Sequence, residues 1–362
     1  MTVTTSRTAT FAVAFVAHCA KITYLTRITI AAAILVTAII SSAAHAETPR
    51  YVVQDLGALP SNQHVSQAYA VNNSGHVVGA GPGGGGASWI WDRRNGMRSL
   101  GTFPGGDGNT RATAINEAGT VVGFAEIAVD QSSFVTQAFV WTADRGMQPI
   151  PGIGQQSEAF GINDPGAIVG GAAGVLNNGF VRKDGKVLAL GVLPGSQSPI
   201  SIAYGVNNRG QVVGGNGQSA FLWDSGKLTN LGVLPGSTST EAHAISDTGQ
   251  VVGLSGDEAF LWDTGRGIQG LGFLDQACFQ SDARAINNHG TVVGYGCVSN
   301  TTTPSHAFVW DRTLGMLDLN KLVSLSSGDV LNVAYGINEG GQIVGVGILG
   351  GAVHAFLLDP AF

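Results

Sequence analysis

The 362-residue chain predicts an all-β fold, a seven-bladed β-propeller with four antiparallel strands per blade. Three observations carry that prediction. A twelve-residue phrase recurs along the chain. Each copy sits in the same order of short strands and glycine turns. A strand missing from the last copy stands in front of the first one.

The phrase reads "AYAVNNSGHVVG" at residues 68–79. It returns from Ala112, Ala159, Ala203, Ala242, Ala283 and Ala334, at spacings of 39 to 51 residues. A period in the forties is typical of propeller blades and solenoids, not of coiled coils. Composition agrees. Gly is abundant at 54 residues, charged residues are only 12%, and hydrophobic residues reach 44%. That apolar share argues against disorder, and the glycines follow no period of three as in collagen. Helical spacing is nowhere sustained, which excludes alternating helix–strand folds.

Residues 1–46 read as a signal peptide. Arg27 flanks the apolar run "ITIAAAILVTAII" at 28–40, and Ala44-His45-Ala46 forms a small-x-small cleavage site before Glu47. The run is short of the ~20 residues of a spanning helix. The protein is therefore expected to be exported, to the periplasm or the exterior. Losing Arg7, Lys21 and Arg27 moves the net charge from −6 to −9. Such a surface offers no electrostatic footprint for nucleic acid or an anionic membrane.

Residues 47–362 form the repeat domain. In each repeat a short strand (68–71 in the first) precedes a turn, Asn72-Asn73-Ser74-Gly75. Asn can bond its own backbone there, and Gly supplies the left-handed position of a hairpin. A second strand follows at 76–79 and a third, "SWIWD", at 88–92. The third strand returns as "AFVWT" at 138–142, "AFLWD" at 220–224 and 259–263, and "AFVWD" at 307–311. A fourth strand such as 97–101 leads into a linker, often "LPG" as at Leu193 and Leu234. Small and large residues alternate in Ala68-Tyr69-Ala70-Val71. The expectation is a small face that receives the large face of the next blade.

Some repeats depart from the pattern. The third has Phe180-Val181-Arg182-Lys183 in place of F-x-W-D, and a fourth strand read as containing Pro149 and Pro151. The fifth has Ser246 for the turn Asn. Cys278 and Cys297, both in the sixth repeat, are expected to pair in an exported protein. Counting outward from the turn at 287–290 sets Cys297 across from Gln280, two residues from Cys278.

The termini give the sharpest argument. The last repeat stops after its third strand at 354–359, while a lone fourth-type strand occupies 51–57. Pairing the two closes a ring and hides both sheet edges. An open solenoid would not need the displaced strand.

The repeat resembles the extracellular HAF repeat family of bacterial exported proteins. The name-giving triplet stands at His306-Ala307-Phe308 and His354-Ala355-Phe356, with the N-x-x-G and L-P-G elements in fixed order. The resemblance covers nearly all of residues 51–362. It implies export and a propeller-like repeat fold, and carries no catalytic residues across.

Repeated residues read as architecture. Trp91, Trp141, Trp223, Trp262 and Trp310 occupy matched places on the third strand. They are assigned to the core, with sugar platforms as the alternative. Asn72, Asn116, Asn163, Asn207, Asn287 and Asn338 are assigned as turn formers, with a ring of ligands as the alternative.

Variable residues read as function. If the first strand is innermost, its leading end opens onto the face with the second-to-third-strand loops. The residue before each repeated Ala is Gln67, Arg111, Glu158, Ile202, Glu241, Asp282 or Val333. His243 and Arg284 stand where other repeats have Tyr, Phe or Thr. Arg111, Glu158, Glu241, His243, Asp282 and Arg284 are therefore the ligand-binding candidates. The competing reading is an ion-paired, solvated rim. No G-x-S-x-G elbow, H-E-x-x-H, P-loop or calcium-loop spacing is present, so no catalytic residue, metal or cofactor is assigned. The expected function is a monomeric binding module for a protein, glycan or small-molecule ligand. Its rivals are a metal-assisted hydrolase or lactonase using Glu241 and His243, and a multivalent lectin.

Overall fold

The computed structural model describes residues 50–361 apart from 83–85, 104, 105, 107, 131, 132, 174, 175, 177 and 300–304. The proposed signal peptide and cleavage site lie outside the described residues. Among those described there is no α-helix, and no helix long and apolar enough to cross a membrane.

The chain forms seven four-stranded antiparallel sheets. Six take their strands in sequence order. The inner strands are Gln67–Val71, Thr110–Ile115, Ser157–Ile162, Ile202–Val206, Thr240–Ile245, Ser281–Ile286 and Val330–Ile337. The seventh blade is completed by Arg50–Asp55, which pairs antiparallel with Ala352–Ala361 from Arg50↔Ala361 to Asp55↔Phe356. The ring is closed by the strand expected to close it.

The repeated letters explain themselves at the blade interfaces. Successive residues of a strand face opposite ways. Val77 and Val78 are both fully buried, yet Val77 packs against the seventh blade and Val78 against the second. Phe139 likewise packs toward the first blade and Ala138 toward the third. Each of seven apolar clusters joins two consecutive blades, and linker residues such as Leu190, Leu193, Leu231 and Leu234 fill the gaps. Burying a Val or Phe side chain stabilises by about 1.5–3 kcal/mol. One Val-Val pair per blade thus serves two interfaces. Trp91 and Trp262 are buried in these clusters, and Trp141, Trp223 and Trp310 pack against them.

Two sequence expectations need correction. Pro149 ends the outer strand Gly146–Pro149 of the second blade, opposite Phe139, so the proline-containing strand does not belong to the third blade. The small/large alternation of the inner strand also fails. Ala68 pairs with Gly79 and Ala70 with Val78, which leaves Tyr69 in a β-bulge. The same shift occurs in all seven blades. Its cause is the glycine of "VVG". A Cβ at Gly79, Gly123, Gly170, Gly214, Gly253, Gly294 or Gly345 would lie 1.9–2.0 Å from the carbonyl oxygen of the residue before the repeated Ala. Only glycine lets that carbonyl approach, and the strand opposite takes up an extra residue.

The turn asparagines do more than make turns. Each Asn Oδ1 accepts from the N–H four residues on, at 2.7–3.0 Å. Each Nδ2 donates at 2.8–3.2 Å to the backbone oxygen of the matching residue in the next blade. The last of these, Asn338 to Asn72, crosses the closure. The ring of amides has one gap: Ser246 has no amide to offer Asn287, and its hydroxyl turns to Thr248. A second ring runs beside the first. The N–H of Asn73, Glu117, Asp164, Asn208, Asp247, Asn288 and Glu339 each reaches the side-chain oxygen of the following member, at 2.6–3.2 Å, with none missing.

Cys278 and Cys297 form a disulfide with Cα atoms 5.7 Å apart. The Cys297 N–H bonds the Gln280 carbonyl at 2.9 Å, which is the register counted from the turn.

Candidate functional site

The bulges decide what enters the central channel. One residue per blade is displaced toward the axis: Tyr69, Thr113, Phe160, Tyr204, His243, Arg284 and Tyr335. All seven line a single cavity of about 460 Å³ at the leading ends of the inner strands. Gln67, Arg111 and Glu241, two residues earlier on the same strands, and Phe124 from a second strand complete the wall.

Aromatic rings cover much of this wall. Tyr69 and Tyr335 meet across the closure with centroids 5.2 Å apart. Phe160 meets Tyr204 in a tilted arrangement at 5.2 Å, and Tyr204 meets the His243 ring edge-on at 6.1 Å. Such pairs favour tilted and edge-to-face geometry because of the ring quadrupole. Burial raises the pKa of the Tyr69 and Tyr335 phenols. Burial and the neighbouring Glu241 carboxylate raise that of Tyr204. All three hydroxyls remain donors at neutral pH.

Charged residues gather on the fifth and sixth blades. His243 Nδ1 lies 3.0 Å from the Ala283 carbonyl, with Asp282 Oδ1 3.1 Å away. Its Nε2 lies 3.7 Å from Glu241 Oε2. Burial alone would lower the His243 pKa, but the two carboxylates outweigh it and raise the pKa to about 9. His243 is therefore an imidazolium at neutral pH. The nearby imidazolium, opposed by burial, holds Glu241 below the usual carboxylate range. Asp282 is 2% exposed and binds Arg284 Nη2 at 2.6 Å. Arg284 also lies over the Tyr295 ring at 5.4 Å.

Arg111 is different. It lies between the faces of Tyr69, at 5.3 Å, and Phe124, at 5.7 Å. No carboxylate among the described residues makes an ion pair with it, though Glu158 in the adjoining cavity feels its charge, which works against the effect of burial on that carboxyl.

The structure brings four of the six sequence candidates to this cavity wall: Arg111, Glu241, His243 and Arg284. Asp282 stands behind them as a buried counter-ion. Glu158 lines a neighbouring cavity of about 290 Å³ that shares Phe160, and burial raises its pKa. Sequence reasoning missed the aromatic members, Tyr69, Phe160, Tyr204 and Tyr335. Their signal was a variable residue between two small fixed ones, opposite a glycine present in every repeat. Glu241 and His243 supply two possible metal donors. Among the described residues no group of three or more His, Cys, Asp and Glu could hold an ion.

A second cavity of about 320 Å³ lies at the other end, ringed by the turn asparagines and their neighbours. Tyr69 and Tyr335 line both cavities. The asparagines there are not free to bind. Their amides are already committed within and between blades.

Fold and channel together define a seven-bladed β-propeller. The chain resembles the extracellular domain assigned to a one-component system, BT4673, of B. thetaiotaomicron. The TM-score is 0.50 at 14% identity, over 84% of this chain and 39% of that one. The present chain thus spans well under half of that domain's length. The propeller domain of the Trilobed protease of Pyrococcus furiosus matches with a TM-score of 0.49 at 10% identity, over 86% and 93% of the two chains. That domain is described as having an open velcro topology. A protein designated a gluconolactonase matches with a TM-score of 0.39 at 13% identity, over 71% and 93%. At these identities the similarity concerns the fold alone. No family model and no curated protein matches the chain.

Proposed function

We propose that this protein is an exported HAF-type repeat propeller that binds one small ligand at the mouth formed by the leading ends of its inner strands. One observation carries the reading: seven bulges aim seven mostly different side chains into one cavity. Its volume of about 460 Å³ falls in the range of small-molecule sites, roughly 300–1,000 Å³. A multivalent lectin would instead need equivalent sites, and the repeated tryptophans that could supply them pack at blade interfaces. Residues 1–46 act as the export signal in this reading, and the mature chain begins at Glu47.

Isothermal titration against a library of glycans and small metabolites tests the site. The expected result is one site per chain, lost in Tyr204→Ala. Several equivalent sites per chain, or binding indifferent to Tyr204, overturns the reading. N-terminal sequencing of the exported protein tests the cleavage point.

A further inference from the structure

We infer that the ligand of this mouth is a small polyhydroxylated carboxylate, of which a hexuronate is the simplest form. The inference rests on the proposed binding function and deepens it. Its starting point is the unequal state of the two arginines. Arg284 is held by Asp282 at 2.6 Å. Arg111 forms no ion pair among the described residues, and its contacts are the ring faces of Tyr69 and Phe124. The two ring contacts hold the guanidinium at the cavity wall, and among the described residues no hydrogen bond or ion pair takes up its N–H groups. A planar edge of paired donors matches a carboxylate, two bonds to two oxygens.

Charge points the same way. The wall carries Arg111, His243 and Arg284 against Glu241, with Asp282 behind. Glu241 and Asp282 offset His243 and Arg284. Glu158 tempers the charge of Arg111 from the neighbouring cavity without pairing with it, and burial disfavours the ionised form of Glu158, so a ligand in the mouth is left to meet that guanidinium directly. A neutral sugar would leave it unmatched.

The remaining wall suits hydroxyls and C–H faces. Glu241 is an acceptor facing the cavity. Gln67 receives the Tyr69 hydroxyl on Oε1 at 2.7 Å, which leaves its amide N–H groups free to donate. Phe160 and Tyr204 present adjoining rings to the same space. A saturated ring bearing hydroxyls and one carboxylate uses all of these surfaces, whereas a bare aliphatic acid leaves the Gln67 amide and the remaining acceptor capacity of Glu241 unused.

Three probes of one shape separate the outcomes: D-glucuronate, its methyl ester and D-glucose, titrated calorimetrically at equal ionic strength. The expected result is glucuronate bound at least about tenfold tighter than either neutral probe, a typical effect of a bidentate charged pair. Arg111→Gln should reduce that preference to within about twofold, and Arg111→Lys should retain only part of it. A thermal melt of each variant confirms folding. If Arg111→Gln does not fold, the wild-type preference and Arg111→Lys decide. Equal binding of the three probes, a preference that survives Arg111→Gln, or no binding of any probe overturns the inference. A neutral probe bound at one site per chain and lost in Tyr204→Ala would overturn the carboxylate while leaving the binding mouth in place.

Discussion

The two mouths of the channel are built from the same strands and obey opposite rules. At one, the hairpin turns repeat nearly the same residues seven times, and their polar groups are spent on the next blade. At the other, the leading ends carry Tyr69, Arg111, Phe160, Tyr204, Glu241, His243, Arg284 and Tyr335, and several of these offer polar or aromatic surface to the cavity. The asparagine mouth acts as a clasp. The bulged mouth is available for chemistry. The difference teaches that in a ring of repeats sameness serves the neighbouring blade, while difference lines the mouth proposed for the ligand.

The most damaging way to break this division removes what both mouths share. Deleting Arg50–Asp55 exposes the edge of Ala352–Ala361 and unpacks Tyr51 and Val53 from the last interface. The melting temperature should fall by about 10 °C or more, with aggregation through the open edge. A loss of only a degree or two would mean that closure does not hold the ring.

Two effects of similar size act on the bulged mouth alone. Cys278 and Cys297 are 19 residues apart, and their disulfide anchors the segment leading to Asp282 and Arg284. Replacing both with Ser should cost about 3 kcal/mol in urea unfolding. Thiol titration of the denatured, unreduced protein should find neither cysteine reactive.

The second effect depends on pH. His243 has a pKa raised above its unfolded value, so it adds stability fully below about pH 6.5, where both states are protonated. That contribution is lost as pH rises through about 9, with Glu241, Asp282, Arg284 and Tyr204 as the groups around it. The loss should be on the order of 3 kcal/mol. His243→Gln should flatten the decline between pH 6.5 and 9. An equally steep decline in that variant would assign the titration elsewhere.

The clasp is probed by Asn163→Ala. It strands the buried Ala167 N–H and takes from the Asn207 carbonyl one of its two bonds, the other coming from the Gly210 N–H at 3.0 Å. Chemical unfolding should show a loss of about 2 kcal/mol, with ligand affinity at the far mouth unchanged. The smallest change runs the other way. Ser246→Asn supplies the missing link to Asn287 and should add about 1 kcal/mol. A destabilised Ser246→Asn would show that the fifth turn cannot accept the amide.

Much of the architecture was legible in the sequence. The period counted the blades, the lone strand at 51–57 foretold the closure, and the turn at 287–290 placed Cys297 opposite Gln280. These relations are local, or repeat at a fixed spacing, and chain order preserves them. Part of the candidate cavity was legible too, because His243 and Arg284 stand where other repeats carry Tyr, Phe or Thr, beside the varied position that holds Arg111 and Glu241.

What only the tertiary structure decided depends on groups far apart in sequence. Strand alternation put Tyr69 on a packing face, but the Gln67 carbonyl presses into the space that a Cβ on Gly79 would fill, and the bulge turns Tyr69 into the channel. The second bond of each asparagine runs to a residue 39 to 51 positions on, or 266 positions across the closure. Period and composition describe what one blade is. Which side chains meet at the axis depends on how seven blades approach one another, and that approach is set by a missing Cβ and a shared hydrogen bond.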